Sequence, residues 1–142
     1  MLNANYIIGL VDGEGSFTAY VRRKVGSKEN KRRVRVEPKF YLKLIEDDKS
    51  ILYELKKYFG CGHVYFQKDS RRNHKDCYRY EVTKRKDIIE KIIPFFLANN
   101  LKLSSKTKDF KIFCQIMEKI KNNSHLTDSG LLKIAKLKAK MH

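Results

Sequence analysis

Apolar residues recur along the chain with two periods, and the switches between them mark out the elements. Ile7, Ile8, Leu10 and Val11 fall at helical spacing and predict a first helix over residues 4–14. From Ser16 the period drops to two. Phe17, Ala19 and Val21 take one face and Thr18, Tyr20 and Arg22 the other, so residues 16–24 read as a half-buried strand. Gly26, Ser27 and Asn30 mark a turn at 25–31. Alternation resumes over 32–45, with Val34, Val36, Phe40, Leu42 and Leu44 inward and Arg35, Glu37, Lys39, Tyr41 and Lys43 outward. Pro38 interrupts this run and argues for a bulge or an edge, because it has no N–H to give a ladder.

The same order then repeats. Asp47 or Asp48 caps a helix over 49–59, whose stripe is Ile51, Leu52, Leu55 and Phe59, and Gly60 or Gly62 ends it. His63 to Lys68 alternates, with Val64 and Phe66 inward and His63, Tyr65 and Gln67 outward. A polar, basic turn over 69–76 carries Arg71 and Arg72. Cys77 to Val82 then sets Tyr78, Tyr80 and Val82 against Arg79 and Glu81. A third helix over 86–98 carries Ile88, Ile89, Ile92, Ile93 and Phe96, and Pro94 shortens or kinks it. A fourth runs over 105–121 with Phe110, Phe113, Ile116, Met117 and Ile120. A last helix begins at 127, capped by Thr127 or Asp128, with Leu131, Leu132, Ile134, Ala135 and Leu137 as its stripe. The order αββαββα plus extra C-terminal helices predicts an α+β fold: a four-stranded antiparallel sheet with helices on one side. At 142 residues, the whole of 1–142 reads as a single domain without internal repeats.

Charge adds a partner to this picture. The chain has 32 Lys+Arg against 16 Asp+Glu, a formal net charge of +16. A Lys-rich solubilising surface explains part of that surplus but not its clustering. Between Arg22 and Lys43 ten basic residues face only Glu29 and Glu37. A strand face that is basic, aromatic and amide-bearing suits nucleic acid, with backbone and groove both in reach. No apolar run approaches the ~18 residues of a membrane span, so no membrane partner is expected, and no secretory signal opens the sequence. Cys61, Cys77 and Cys114 are odd in number without framework spacing, which fits free thiols in a reducing compartment. Cys61-x-His63 with His74-x-x-Cys77 offers four zinc-type ligands, but at an unfamiliar spacing; a turn and a strand account for Cys61 and His63.

The first helix holds the sharpest chemical signal. Gly9 and Gly13, four apart, share one helix face, at roughly 1 kcal/mol each relative to Ala. Close approach of a second backbone is a reason to keep them. Asp12 and Glu14 bring acid to the far end, where Gly15 stops the helix. An acid held where two such helices meet is a good ligand for a hard cation.

The stretch Ile7-Ile8-Gly9-Leu10-Val11-Asp12-Gly13-Glu14-Gly15-Ser16-Phe17, with this element order, resembles the LAGLIDADG homing endonucleases. Tyr58-Phe59-Gly60-Cys61-Gly62, Lys106-Thr107-Lys108-Asp109-Phe110 and His125 to Leu131 match in the same register, so the likeness covers nearly the whole chain. The resemblance implies that motif helices pack together at a two-fold, with Ile8, Gly9, Asp12 and Gly13 at the contact. One motif in the chain implies a homodimer. It implies a metal site at Glu14 with Gly13 beside it, holding Mg²⁺, for which Mn²⁺ or Ca²⁺ substitute. Asp12 is by position a capping or interface residue. Lys106 is implied as the basic catalytic residue, with Lys102 and Lys108 as alternatives. The family's pattern departs after the second strand, where Leu44, Ile45 and Asp48 stand in place of a glutamine and an arginine; Lys43 or Lys49 are the substitutes.

The implied activity is site-specific cleavage of both strands of double-stranded DNA at a long pseudo-palindromic site, leaving 3′ overhangs. The sheet would lie in the major groove. Thr18, Tyr20, Arg22 and Lys24 come from the first strand; Arg32, Arg33, Arg35, Glu37, Lys39, Tyr41 and Lys43 from the second; Tyr65, Gln67, Arg71, Arg72 and Arg79 from the last pair. The alternatives within the family are an intron RNA maturase and an inactive DNA-binding protein, so RNA remains a second partner. The resemblance implies an intron-encoded, intracellular protein of a mitochondrion, a chloroplast or a prokaryotic cytoplasm.

Overall fold

The computed structural model describes residues 2–23 and 34–142; the expected turn at 25–31, with Lys24, Arg32 and Arg33, lies outside them. Helix α1 (Ala4–Glu14) opens on Asn3, whose side-chain oxygen accepts from the Tyr6 amide at 2.9 Å. It ends at Gly15, which is extended (φ −81°, ψ 158°) and leads straight into β1 (Gly15–Arg23). A Cβ on Gly15 would lie 2.7 Å from the Val11 side chain and 2.9 Å from its carbonyl oxygen. Glycine is needed there for close approach, not for a left-handed turn.

Strand β2 (Val34–Ile45) pairs antiparallel with β1, from Gly15↔Leu42 to Arg23↔Val34. A short 3₁₀ turn (Glu46–Asp48) leads into α2 (Lys49–Phe59). Neither expected carboxylate caps that helix, and Asp47 instead pairs with Lys75 at 2.9 Å. Gly60, left-handed at φ +69°, ends α2 by donating its N–H to the Lys56 carbonyl. Strands β3 (His63–Gln67) and β4 (Cys77–Val82) complete a sheet of order β1-β2-β4-β3, antiparallel throughout.

Pro38 sits in register opposite Ala19, without a bulge. The edge reading is the correct one. β4 stops at Val82, opposite Phe40, so at Pro38 β2 has a strand on one side only. Past that point the Arg85 guanidinium donates to the Val36 carbonyl at 3.2 Å.

Helix α3 comprises Arg85–Asp87, a π turn at Ile88–Ile92 and Ile93–Ala98. Pro94 does not shorten the helix, which continues to Ala98; a π turn precedes it, and its wider spacing suits a residue with no N–H and a ring that crowds the preceding turn. Helix α4 (Ser104–Lys121) follows, then a 3₁₀ turn (Ser124–Leu126) and α5 (Asp128–Ala139). Of the two candidate caps for α5, Thr127 is the one used, its hydroxyl accepting from Gly130 N at 3.0 Å.

The helices cover one face of the sheet. Phe17 is the centre of the core: its ring lies 5.1 Å from Phe40, 5.3 Å from Phe96, 5.1 Å from Phe110 and 5.5 Å from Phe113. Ile7 and Val11 of α1, Leu52 and Leu55 of α2 and Ile88 and Ile92 of α3 close around it. Two positions expected inward are open instead: Val21 is 37% exposed and Phe66 49%. Both lie on edge strands, where the helical layer does not reach. On α5, Ile134 is buried, while Leu132 and Ala135 face out.

All three cysteines are free, and burial pushes the Cys114 thiol up to about 11. Antiparallel pairing of β3 and β4 puts Cys61 and His63 at one end of the hairpin and His74 and Cys77 at the other. The four zinc-type side chains therefore do not converge.

Candidate functional site

The two acids of α1 have different surroundings. Asp12 is 8% exposed and turned inward. Its carboxylate accepts from Lys102 N at 2.9 Å and from Leu103 N at 3.2 Å. Leu103, the residue before α4, has no side-chain group to cap it. Asp12 thus ties the last turn of α1 to the entry of α4, which is the capping role. Glu14, one helix step beyond Gly13, is exposed at the helix end.

Lys106, in the first turn of α4, places its ammonium on the Gly15 carbonyl. The end of α1, the start of β1 and the start of α4 therefore bring Glu14 and Lys106 to one place, while Lys102 and Lys108 are exposed. Among the described residues no three His, Cys, Asp or Glu side chains gather to hold a metal. The donors at this end are oxygens: the Glu14 carboxylate and the last-turn carbonyls of α1, Gly13 included, which lack partners within the helix and lie at its negative pole. Such a set fits a hard cation completed by water and substrate oxygens. It does not fit zinc.

Of the residues expected at a helix–helix contact, Gly9 and Gly13 are exposed, and a Cβ at either meets nothing within 4 Å among the described residues. Ile8 and Asp12 are already buried within the chain.

The sheet face away from the helices runs outward from Glu14 in rows set by the register. Ser16, Tyr41, Glu81 and His63 form the row beside it, flanked on one side by Lys43, Arg79 and Tyr65. On the other side Thr18 pairs with Lys39, Tyr20 with Glu37, and Arg22 with Arg35 by backbone register. Lys138, from the end of α5, reaches round the β1 edge to the Thr18 hydroxyl and sits 5.1 Å from the Tyr20 ring centre, with Lys39 5.3 Å from that ring. Lys49 is not on this face, because it lies over the Tyr78 ring on the helical side. Lys43 is, so of the two substitutes Lys43 keeps its place. In the 69–76 turn, Arg71 is bound to Asp69 at 2.7 Å, which holds that carboxyl well below the usual range, and Arg72 is exposed.

The middle of the face is a network around Glu81. Oε1 of Glu81 accepts from the Tyr65 hydroxyl at 2.5 Å and lies 3.1 Å from Arg79 Nη2 and 3.3 Å from Lys39 Nζ. Arg79 also stacks on Tyr41 at 4.2 Å and reaches Gln67 at 3.5 Å. Burial and the bond to Glu81 push the Tyr65 phenol up to about 12, so it stays a donor at neutral pH. The sequence placed Glu81 on this face but gave it no role; its signal was an acid on a face otherwise rich in cations.

A family model for LAGLIDADG endonucleases matches residues 7–117. The chain belongs to the LAGLIDADG endonuclease family. It is 35% identical over 135 residues to a probable intron-encoded endonuclease of Neurospora crassa, covering 94% of this chain and 24% of that protein. A probable intron-encoded DNA endonuclease of Mycosarcoma maydis is 32% identical over 111 residues, covering 78% of this chain and 35% of that one. The chain thus spans about a quarter to a third of the curated relatives it matches. Among solved structures, the homing endonuclease I-TnaI superposes with a TM-score of 0.82 at 35% identity, covering 99% of this chain and 88% of that one. I-SmaMI bound to an uncleaved DNA target with calcium ions gives 0.84 at 29% identity, covering 100% of this chain and 45% of that chain. In the LAGLIDADG frame Glu14 ends the motif helix, and the four-stranded antiparallel sheet with its helices is the family's fold.

Proposed function

We propose that the chain is one subunit of a homodimeric, Mg²⁺-dependent homing endonuclease, with residues 1–142 as its single domain. It cuts both strands of a long, roughly palindromic DNA site and leaves 3′ overhangs. The observation that carries this reading is Glu14 exposed at the end of α1, with Lys106 anchored beside it, at the foot of a basic sheet.

The dimer follows from Gly9 and Gly13. Among the described residues, nothing in the packing needs a glycine at either position, yet each costs helix stability of roughly 1 kcal/mol. A second α1 crossing at this stripe accounts for both. Two Glu14 carboxylates then approach a two-fold axis, where like charges repel unless a cation lies between them. Glu14 and the Gly13 carbonyl would hold Mg²⁺, or Mn²⁺ or Ca²⁺ in its place; when bound, the ion activates water and stabilises the leaving oxygen of phosphodiester hydrolysis. Lys106 supplies a fixed positive charge where the phosphate must sit, and Asp12 keeps the two helix ends in register.

The sheet reads the DNA. Six residues separate the Ser16 and Arg22 rows, a span of about 20 Å at ~3.3 Å per residue. That covers roughly six base pairs at ~3.4 Å each. Arg and Gln side chains in these rows pair with guanine and adenine edges in the major groove, and Lys138 holds phosphate at the flank. The intron-encoded relatives are fungal, which supports an intron-encoded protein of an organelle.

The test is incubation of the purified protein with a randomised duplex library and Mg²⁺, with and without a chelator. Recovered ends with two-fold symmetry and 3′ overhangs, lost on chelation, are expected. Binding without any cutting would leave a DNA- or RNA-binding relative of the endonucleases.

A further inference from the structure

We infer that Glu81 is a positioning residue for DNA readout: it holds Arg79 and Lys39 away from phosphate and fixed for the edges of the correct bases. This rests on the proposed DNA-cutting function and extends it to how the site discriminates. Three donors from three strands converge on Glu81 Oε1: Tyr65 of β3, Arg79 of β4 and Lys39 of β2. The charged side chains are largely covered, at 13% exposure for Glu81, 17% for Arg79 and 20% for Lys39. Such a network is less screened by water and salt than an open surface pair.

Arg79 is held on several sides at once. It stacks on Tyr41, reaches Gln67, and its Nε is buried with no acceptor among the described residues. A cation placed to grip phosphate is usually free on a long stem. These two flank the row beside Glu14, one on each side, close to where the base pairs nearest the cut must lie.

The consequence is a difference of affinities. A non-target duplex offers mainly phosphate to these cations, and taking it means breaking their bonds to Glu81 for a comparable contact. A target duplex adds base-edge acceptors aligned with the fixed guanidinium. Glu81 therefore weakens binding to wrong DNA more than to right DNA, which is how a repulsive or competing element gives specificity.

The experiment measures binding of the full chain to a selected duplex, its single-base variants and an unrelated duplex, over a range of salt. Glu81→Gln keeps the side chain's shape and removes its charge. Releasing two cations to phosphate steepens the salt dependence on unrelated DNA by up to about 1.8 in log–log slope, at ~0.9 per phosphate contact. Discrimination at the innermost base pairs is expected to fall about tenfold or more, with the melting temperature little changed; an altered melting temperature alone is what a merely structural role predicts. A selective wild type whose slope and base preferences survive in Glu81→Gln overturns the role of Glu81 and leaves the proposed function standing. A wild type that prefers no duplex overturns both. If Glu81→Gln does not fold, Lys39→Met decides: a lysine already held by Glu81 adds nothing to the slope on unrelated DNA, and a slope shallower by about 0.9 contradicts the inference.

Discussion

Asp12 and Glu14 stand two residues apart in one motif, and their replacement should separate stability from chemistry. In Asp12→Asn the side chain keeps one acceptor oxygen but turns an NH₂ group toward the amides of Lys102 and Leu103. A hydrogen bond to a charged group contributes about 1.5–3 kcal/mol, and an unsatisfied buried donor costs about 1–3 kcal/mol. Losing one such bond and weakening the other destabilises the protein by about 2–3 kcal/mol. The 142 residues imply an unfolding entropy near 0.3 kcal/mol/K, from about 2.1 cal/mol/K per residue, so the melting temperature should drop by about 7–10 °C. Cleavage assayed well below that midpoint should persist, because the acid facing solvent is Glu14. The assay is a thermal melt beside a cleavage time course for Asp12→Asn and Glu14→Gln. An Asp12→Asn protein that melts with the wild type, yet has lost cleavage as completely as Glu14→Gln, would refute the assignment of the two acids.

Other variants test neighbouring claims. Gly13→Val should leave the folded chain intact, since a Cβ there meets nothing among the described residues, while sedimentation should show dimers replaced by monomers; a dimeric variant argues against the α1 crossing. Phe17→Ala removes the ring at the centre of four aromatic contacts and should cost about 3–5 kcal/mol in denaturant unfolding. His125 is buried and accepts from Arg85 at 3.4 Å, and burial, then the Arg85 charge, lowers its pKa below the ordinary 6.5. The folded state holds the neutral ring, so its contribution is present above pH ~6.5 and is lost as pH falls through the lower folded value. Melting temperatures from pH 7 to pH 5 should therefore decline, and less steeply in His125→Gln; equal slopes would contradict this.

The elements were readable because their periods are clean. Phe17 and Ala19 alternate with Thr18 and Tyr20, and the helical stripes of α2 and α4 bury the residues the spacing names, except Ile51, which is half-buried. What sequence could not give was reach. Phe66 and Val21 have the inward parity of core residues, but whether a helix lies above them depends on sheet order, which periodicity does not encode. Asp12 was readable as a capping group, though not its partner: the amides it binds are some ninety residues away. The role of Glu81 was hidden for the same reason, because its three donors meet only when β2, β3 and β4 are side by side. The α1 motif identified the acidic end of the site, and packing alone put Lys106 against Gly15.

The proposed function turns on the exposed Glu14 doing the chemistry of a symmetric DNA endonuclease. Cleavage of a randomised duplex library in Mg²⁺, with wild type beside Glu14→Gln and with binding measured for both, tests it most directly. A two-fold-symmetric set of cut sites is expected for the wild type, and for Glu14→Gln no cutting despite retained binding to the same sites. Cutting that persists in Glu14→Gln would remove Glu14 from the chemistry, and a wild type that binds DNA and never cuts it would not be an endonuclease.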